Sequence, residues 1–572
     1  MASLDAESST ERTPLLLQDN TGSSVSSLCL SSTQVSTDQP PKPTHSKTCL
    51  DEEARLDEPS HKNHAGTTSV GQIVSVLLIG SFISNADTSL LFATHTVIAS
   101  EFNALHDSSW LLTSFALAQA ASQPLYGKIS DIYGRKSLLL LAYTLFAVGC
   151  GMVGMGTSMS HLIVGRVVSG AGSAGMTALV SILITDLVSL REVASWRSYV
   201  NVVATTGRSI GGPLGGWLAD AVGWRWSFLG QVPLAGIAII LVAITLPPRV
   251  QHHLDEDMPK GEQGSKLARV DFLGATLLTL TILMLLFPLE IGGDRIPWSS
   301  PIIFLLFGTA VVCGTLFLAT EAWIAREPII PLSLLRHRDI VVSSLTMIFQ
   351  VGAQTGMMLS IPLYFQVTAG ASNSVAGLHL SPAVVGNAVG GILSGIIIKR
   401  TGRYKSLIIV ATLGASIGYL LLILRWHGNT NWLESLYIIP GGFGTGIAQS
   451  ALFISVQAAI DPTHTAIAAS TLYLSSSVGS LAGMAGASAV LQGALRKCLN
   501  RRLGELDLAD KKKWSIIEHA VSDLHYLDKA KPLVAGIIRS SYVEALTWAH
   551  LMSFLWSLTA FVGSFFLRQH KL

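Results

Sequence analysis

The amino-acid sequence predicts an all-α membrane protein with fourteen transmembrane helices, on three observations. Of its 572 residues 49% are hydrophobic and only 13% charged, against roughly 25% charged in an average soluble domain. Fourteen apolar runs follow residue 70, each near the ~20 residues a helix needs to cross a bilayer. Lys and Arg gather in alternate loops, as the positive-inside rule requires. This composition excludes an ordinary soluble enzyme and a disordered chain. The formal net charge of +2 carries no signal for nucleic acid.

Residues 1–69 are polar and aperiodic and read as a disordered cytosolic tail. Six apolar runs follow at 72–97, 109–127, 137–157, 161–186, 198–221 and 225–246. Two more lie at 272–291 and 300–322, and six at 340–365, 378–398, 405–425, 434–457, 465–492 and 543–567. With the N-terminus in the cytosol, the inner loops hold sixteen Lys and Arg, and the outer loops before run 13 hold three, Arg225, Arg295 and Arg425. Both termini are then cytosolic. The basic stretch 493–541 falls outside, which long loops tolerate. Cys29, Cys49, Cys150, Cys313 and Cys498 lie far apart without metal-ligand spacing, so neither disulfides nor a metal site is expected. No GxxxxGK phosphate loop occurs, so ATP is not the direct energy source.

Between runs 2 and 3 stands GKISDIYGRK, with Gly127, Asp131, Gly134, Arg135 and Lys136. Its glycines permit a tight turn, and its bases hold the loop in the cytosol. This loop resembles motif A of the major facilitator superfamily. A second copy, GIIIKRTGRYK, follows run 10, with Gly395, Gly402 and Arg403 in register and Lys399 where Asp131 stands. The Asp/Lys exchange predicts that the two loops meet as a gate. The resemblance implies two six-helix halves, 70–246 and 326–572, around inserted helices 7 and 8 in 247–325.

Run 4 carries Arg166 before Gly170, Gly172 and Gly175. Run 5 carries Gly207 and then Gly211, Gly212, Pro213, Gly215 and Gly216. These are similar to motifs B and C of proton-coupled drug antiporters, and motif C implies exchange rather than symport. Small residues at this spacing equally serve close helix packing. Run 13 repeats the spacing at Gly479 and Gly483. WRWSFLGQVP at 224–233 and PLYFQVTAGASNSVAGLHLSP after it, with fourteen runs, look like the fourteen-helix branch. Gln231 and NADTSLLFATHTVIASEF in run 1 resemble the fungal vacuolar basic amino acid transporters.

Ionisable groups at membrane depth are functional by default. Asp87 lies mid-way along run 1, on one stripe with Ser84, Thr88, Thr94 and His95, which predicts a wet face and a site for a proton or a cation. Arg208 lies mid-way along run 5 on one face with Asn201, Thr205 and Gly212. Either it pairs with Asp87, or it receives the carboxylate of a substrate whose cationic end meets Asp87. Arg166, nearer the outer end of run 4, is a second anion or proton-coupling candidate. Gln119 and Gln123 are polar contacts on run 2.

In the tail, Glu11, Leu15 and Leu16 fit the acidic dileucine pattern read by clathrin adaptors. The expectation is a monomeric secondary transporter, without cofactor, driven by the proton gradient and carrying a small molecule across the lipid bilayer. The resemblance implies basic amino acids moved into the vacuole. A plasma-membrane drug or toxin exporter and a transport-dead membrane sensor are the alternatives.

Overall fold

The computed structural model describes residues 70–102, 108–246, 271–292, 296–325, 328–330, 332–371, 373–461, 464–504, 510–522 and 526–572. Glu11, Leu15 and Leu16 lie outside them, as do Cys29 and Cys49. Every predicted apolar run is helical. The first group comprises α1 (Val70–Glu101), α2 (Ser108–Tyr133), α3 (Arg135–Gly154), α4 (Met159–Leu187), α5 (Leu190–Ala221), and the pair α6 (Trp224–Leu229) and α7 (Gln231–Thr245). Helices α8 (Phe272–Ile291) and α9 (Pro301–Trp323) follow. After the short α10 (Leu332–Arg336) come α11 (Arg338–Ala369), α12 (Asn373–Leu378), α13 (Ser381–Thr401) and α14 (Lys405–Arg425). A 3-10 turn (Trp432–Ile438) leads into α15 (Ile439–Ala458). The last four are α16 (Thr465–Gly504), α17 (Asp510–Ser522), α18 (Tyr526–Lys529) and α19 (Pro532–Phe565).

Twelve of these segments are long and apolar enough to cross a membrane. The two remaining predicted spans, α2 and α5, are helical but fall outside these twelve, so the count of fourteen crossings rests on the sequence. Large apolar side chains such as Ile240, Val311 and Trp323 stay exposed on the outer surface, where acyl chains would cover them.

Local chemistry sets the helix ends. Ser158 and Asp271 cap α4 and α8 by accepting from the amides of His161 and Gly274. Gly134 and Gly402, at matching places in the two motif loops, have φ of +104° and +66°, which favours glycine at both turns.

In the first group α1 packs along α5, α2 along α4, and α3 along α4 and α7. In the last group α11 packs along α16 and α19, and α13 and α14 along α15. The groups meet where α5 touches α13 and α2 touches α16. Helix α8 rests on α2, α9 and α16, with Trp110 stacked on Phe287 at 5.5 Å. The stretch 493–541 corrects the sequence expectation. Its described residues are largely helical: α16, which takes in 493–504, is 40 residues long, about 60 Å and twice the bilayer core. Its apolar spacing continues through Leu495, Leu499 and Leu503, which pack with Ile516, Ile517, Ile538 and Tyr542.

Candidate functional site

Asp87 is the centre of the polar core. It is fully buried, and its Oδ2 lies 2.6 Å from Arg166 Nη1. Gln231 Nε2 donates to Asp87 Oδ1 at 3.1 Å. Arg166 also donates through Nε to the Leu111 carbonyl at 3.2 Å, and its guanidinium lies 4.2 Å from the Phe115 ring centroid. Two atoms beside the pair, Arg166 Nη2 and Gln231 Oε1, are buried without a hydrogen-bond partner. The wet stripe predicted on α1 is therefore corrected: Ser84, Asp87 and Thr94 are buried, because α4 and α7 supply the charge and amide that water would otherwise provide.

Arg208 does not reach Asp87. It makes no ion pair among the described residues, and it is exposed. Seven residues before it on the same face, Asn201 Nδ2 donates to Asn387 Oδ1 of α13 at 3.0 Å. Arg208 lies two helical turns, about 10 Å, along α5 from that contact, on the same face and exposed. Gln119 donates to Ser173 Oγ at 2.9 Å, and Ser173 in turn bonds Ser84, so it serves α2–α4–α1 packing. Gln123 crosses instead, its Oε1 accepting from Ser477 of α16 at 3.1 Å.

The motif loops close one end of the molecule. Arg135 binds Asp131 at 2.6 Å and Asp186 at 3.1 Å and also touches Ser130. Burial pushes the Asp131 carboxyl up from the usual carboxylate range, against the pull of Arg135. Lys136 donates to the carbonyls of Ala243 and Leu246 at 2.7 and 2.6 Å, fastening the loop to the end of α7. The predicted meeting of Asp131 and Lys399 does not occur. Asp131 is held by its own Arg135 one turn on, and Lys399 pairs with Glu192 of α5 at 3.2 Å. Arg403 is exposed and forms no ion pair among the described residues. Ser198 donates to the Gly391 carbonyl at 2.5 Å, and a Cβ on Gly127 would meet Ser470 of α16 at 2.6 Å, so both seams are shut at this end.

The glycines of the antiporter motif divide by face. A Cβ at Gly207, Gly211 or Gly215 would collide with the α1 backbone at Phe82, Ala86 or Leu90, whereas Gly216 has open space and Gly212 nearly so. The stripe thus lets α1 and α5 approach closely beside Asp87, and α5 runs unbroken through Pro213. Gly479 and Gly483 do the same for α16 against Ile348 and Gly352 of α11.

Sequence reasoning passed over Gln231 as a ligand of Asp87, and Glu192, Arg197 and Asn387 as contacts between the groups. An amide at membrane depth was the available signal for Gln231. Glu192 gave none, since it sits at an ordinary helix start.

Known proteins agree with this architecture. A model of the Major Facilitator Superfamily matches residues 77–484. The vacuolar membrane amino acid uptake transporter fnx2 of Schizosaccharomyces pombe is 29% identical over 93% of this chain and 90% of its own. The multidrug resistance protein fnx1 of the same yeast is 30% identical over 90% and 96%. The vacuolar basic amino acid transporter 2 of Saccharomyces cerevisiae is 28% identical over 80% and 96%. Among solved structures, the human organic anion transporter MFSD10 shares the fold with a TM-score of 0.53 at 15% identity, over 85% of this chain and 99% of that one. The family and these relatives are transporters rather than enzymes. With its two loop copies, its apolar helices and its buried ion pair, this multi-pass membrane chain belongs to the Major Facilitator Superfamily.

Proposed function

We propose that the protein is an antiporter that exchanges protons for basic amino acids across the vacuolar membrane, the two helix groups rocking about a midplane cleft. The observation that carries this reading is the buried Asp87–Arg166 pair with two unpartnered polar atoms beside it, set apart from the exposed Arg208. Protonating a buried carboxylate that is compensated by a single guanidinium leaves that guanidinium without a counter-charge. With Asp87 ionised, Arg166 holds it. With a proton from the acidic lumen on Asp87, Arg166 is released and its free Nη2 can seek another anion. Arg208 offers a cation to a substrate carboxylate, and the amine of a basic amino acid competes with Arg166 for Asp87. Proton and substrate then use one carboxylate in turn, which couples their fluxes. In this reading the shut motif end faces the cytosol, and the tail dileucine directs the chain to the vacuole. The likeness to a vacuolar amino acid uptake transporter and to a vacuolar basic amino acid transporter supports the substrate and the place.

The test is uptake of labelled lysine, arginine and histidine into acidified vacuole vesicles, with wild type, Asp87→Asn or a deletion. The expected result is uptake that requires both the gradient and Asp87. Equal uptake with and without the protein would overturn the reading. A drug exporter at the cell surface is the second reading, favoured by the likeness to the multidrug resistance protein. It predicts that Leu15→Ala/Leu16→Ala leaves the protein where it was, whereas a vacuolar protein would move to the surface.

A further inference from the structure

At the shut end, Arg197 of α5 reaches across into the other helix group. Its Nη1 donates to Ser181 Oγ at 2.7 Å and to the Tyr473 hydroxyl of α16 at 3.0 Å. The guanidinium lies 3.7 Å from the centroid of Phe453 on α15. No carboxylate pairs with it among the described residues, and its Nε is buried without a partner. Beside it is a cavity of about 40 Å³ that Gln449 and Ser476 also line. Neither of these side chains has a hydrogen-bond partner among the described residues. One water needs about 10–15 Å³ on this measure, so the space suits a carboxylate group or a few waters. A guanidinium donor, an amide and a hydroxyl thus converge on one void.

We propose that Arg197, Gln449 and Ser476 form a carboxylate-binding site whose occupation releases the shut end. The charge-assisted bond from Arg197 to a carboxylate is stronger than its neutral bonds to Ser181 and Tyr473. An anion in the void draws the guanidinium off Tyr473 and so breaks a contact between the groups close to the Glu192–Lys399 and Asn201–Asn387 contacts. This deepens the amino acid reading and rests on it for the natural ligand, since every amino acid brings a carboxylate. A substrate entering from the cytosol would meet Arg197 before Arg208, which lies farther along α5.

The test is hydrogen–deuterium exchange of the purified full-length chain in lipid nanodiscs, read over residues 190–201 and 465–476. Sodium acetate, acetamide and sodium chloride are the probes, at matched ionic strength. Acetate is expected to speed exchange at these amides severalfold and saturably, while acetamide and chloride do not. Arg197→Gln should abolish the response, and Gln449→Ala should raise the half-saturating acetate concentration severalfold. No acetate response in wild type, an equal response to chloride, or an unchanged response in Arg197→Gln overturns the proposal. If Arg197→Gln fails to fold, an unchanged half-saturation in Gln449→Ala overturns it instead. Absent lysine uptake beside an intact acetate response would sink the amino acid reading alone.

Discussion

Gly211 of α5 rests against the backbone at Ala86 of α1, which sets Asp87 one residue past the contact. In the last helix group Gly483 of α16 rests against Gly352 of α11, and the residue one past it is Ala353. The neighbours match as well: Gly207 meets Phe82, and Gly479 meets Ile348. Two residues before Ala86 and Gly352 the same register pairs Ser84 with Gln350. Both are buried and both bond to the following partner helix, Ser84 to Ser173 of α4, and Gln350 to Thr445 of α15 at 2.9 Å. The two groups therefore share a packing plan and a neutral polar contact, but among the described residues only the first holds an ion pair with both side chains buried. Packing alone does not require Asp87 and Arg166, since the same crossing is built in the last group with alanine. That difference is the physical reason why the proposed proton coupling is assigned to the first group.

The largest effect should come from moving charge between the groups. Asp87→Asn leaves Arg166 buried without a counter-charge, a loss of about 3–5 kcal/mol, and Ala353→Asp should cost a similar amount by burying an unpaired carboxylate. Thermal unfolding in detergent checks both, and Asp87→Asn combined with Arg166→Gln should recover most of the first loss. A single Asp87→Asn as stable as wild type would break the comparison.

The shared register is tested next. Gly211→Ala and Gly483→Ala each force a methyl into a facing backbone and should each destabilise by about 1–3 kcal/mol. Equal losses sharpen the correspondence, and a marked inequality would mean that the two crossings are built differently. Lys399→Ala removes an ion pair whose two side chains are about half exposed, so its stability loss should stay below about 1 kcal/mol. Its readout is faster amide exchange around Glu192.

The smallest effect concerns the opposite end, where Trp224 Nε1 and Arg225 bind Glu101. Those two donors hold the Glu101 carboxyl below its ordinary range. Its folded value is the lower one, so its contribution is present above the unfolded value of about 4.3 and is lost as pH falls through the folded value. Amide exchange at 223–226 should stay constant on mild acidification and rise only below the ordinary glutamate range. Glu101→Gln should abolish that pH dependence.

Much of this was legible in the sequence. The helical segments follow from apolar length, and the glycine stripe on α5 from its four-residue spacing. Asp87 stands out because a carboxylate at that depth needs a reason. Its partner did not follow, because Arg166 starts only about 10 Å into α4 and a long side chain can reach well beyond its own Cα. Depth along separate helices says nothing of how they slide past one another, so Arg208, mid-way along its run, looked the better partner. The gate partner failed for a related reason: Asp131 and Lys399 match in sequence register, but Arg135 lies one turn from Asp131 and claims it. The helical continuation through Leu495, Leu499 and Leu503 was visible as a period and was hidden by the surrounding basic residues.

Whether Asp87 serves proton and substrate in turn is read directly from lumenal pH in proteoliposomes loaded acidic. Adding lysine outside should raise lumenal pH with wild type, by proton exit coupled to lysine entry, and leave it unchanged with Asp87→Asn. Lysine-dependent proton exit that persists in a folded Asp87→Asn protein would contradict the account.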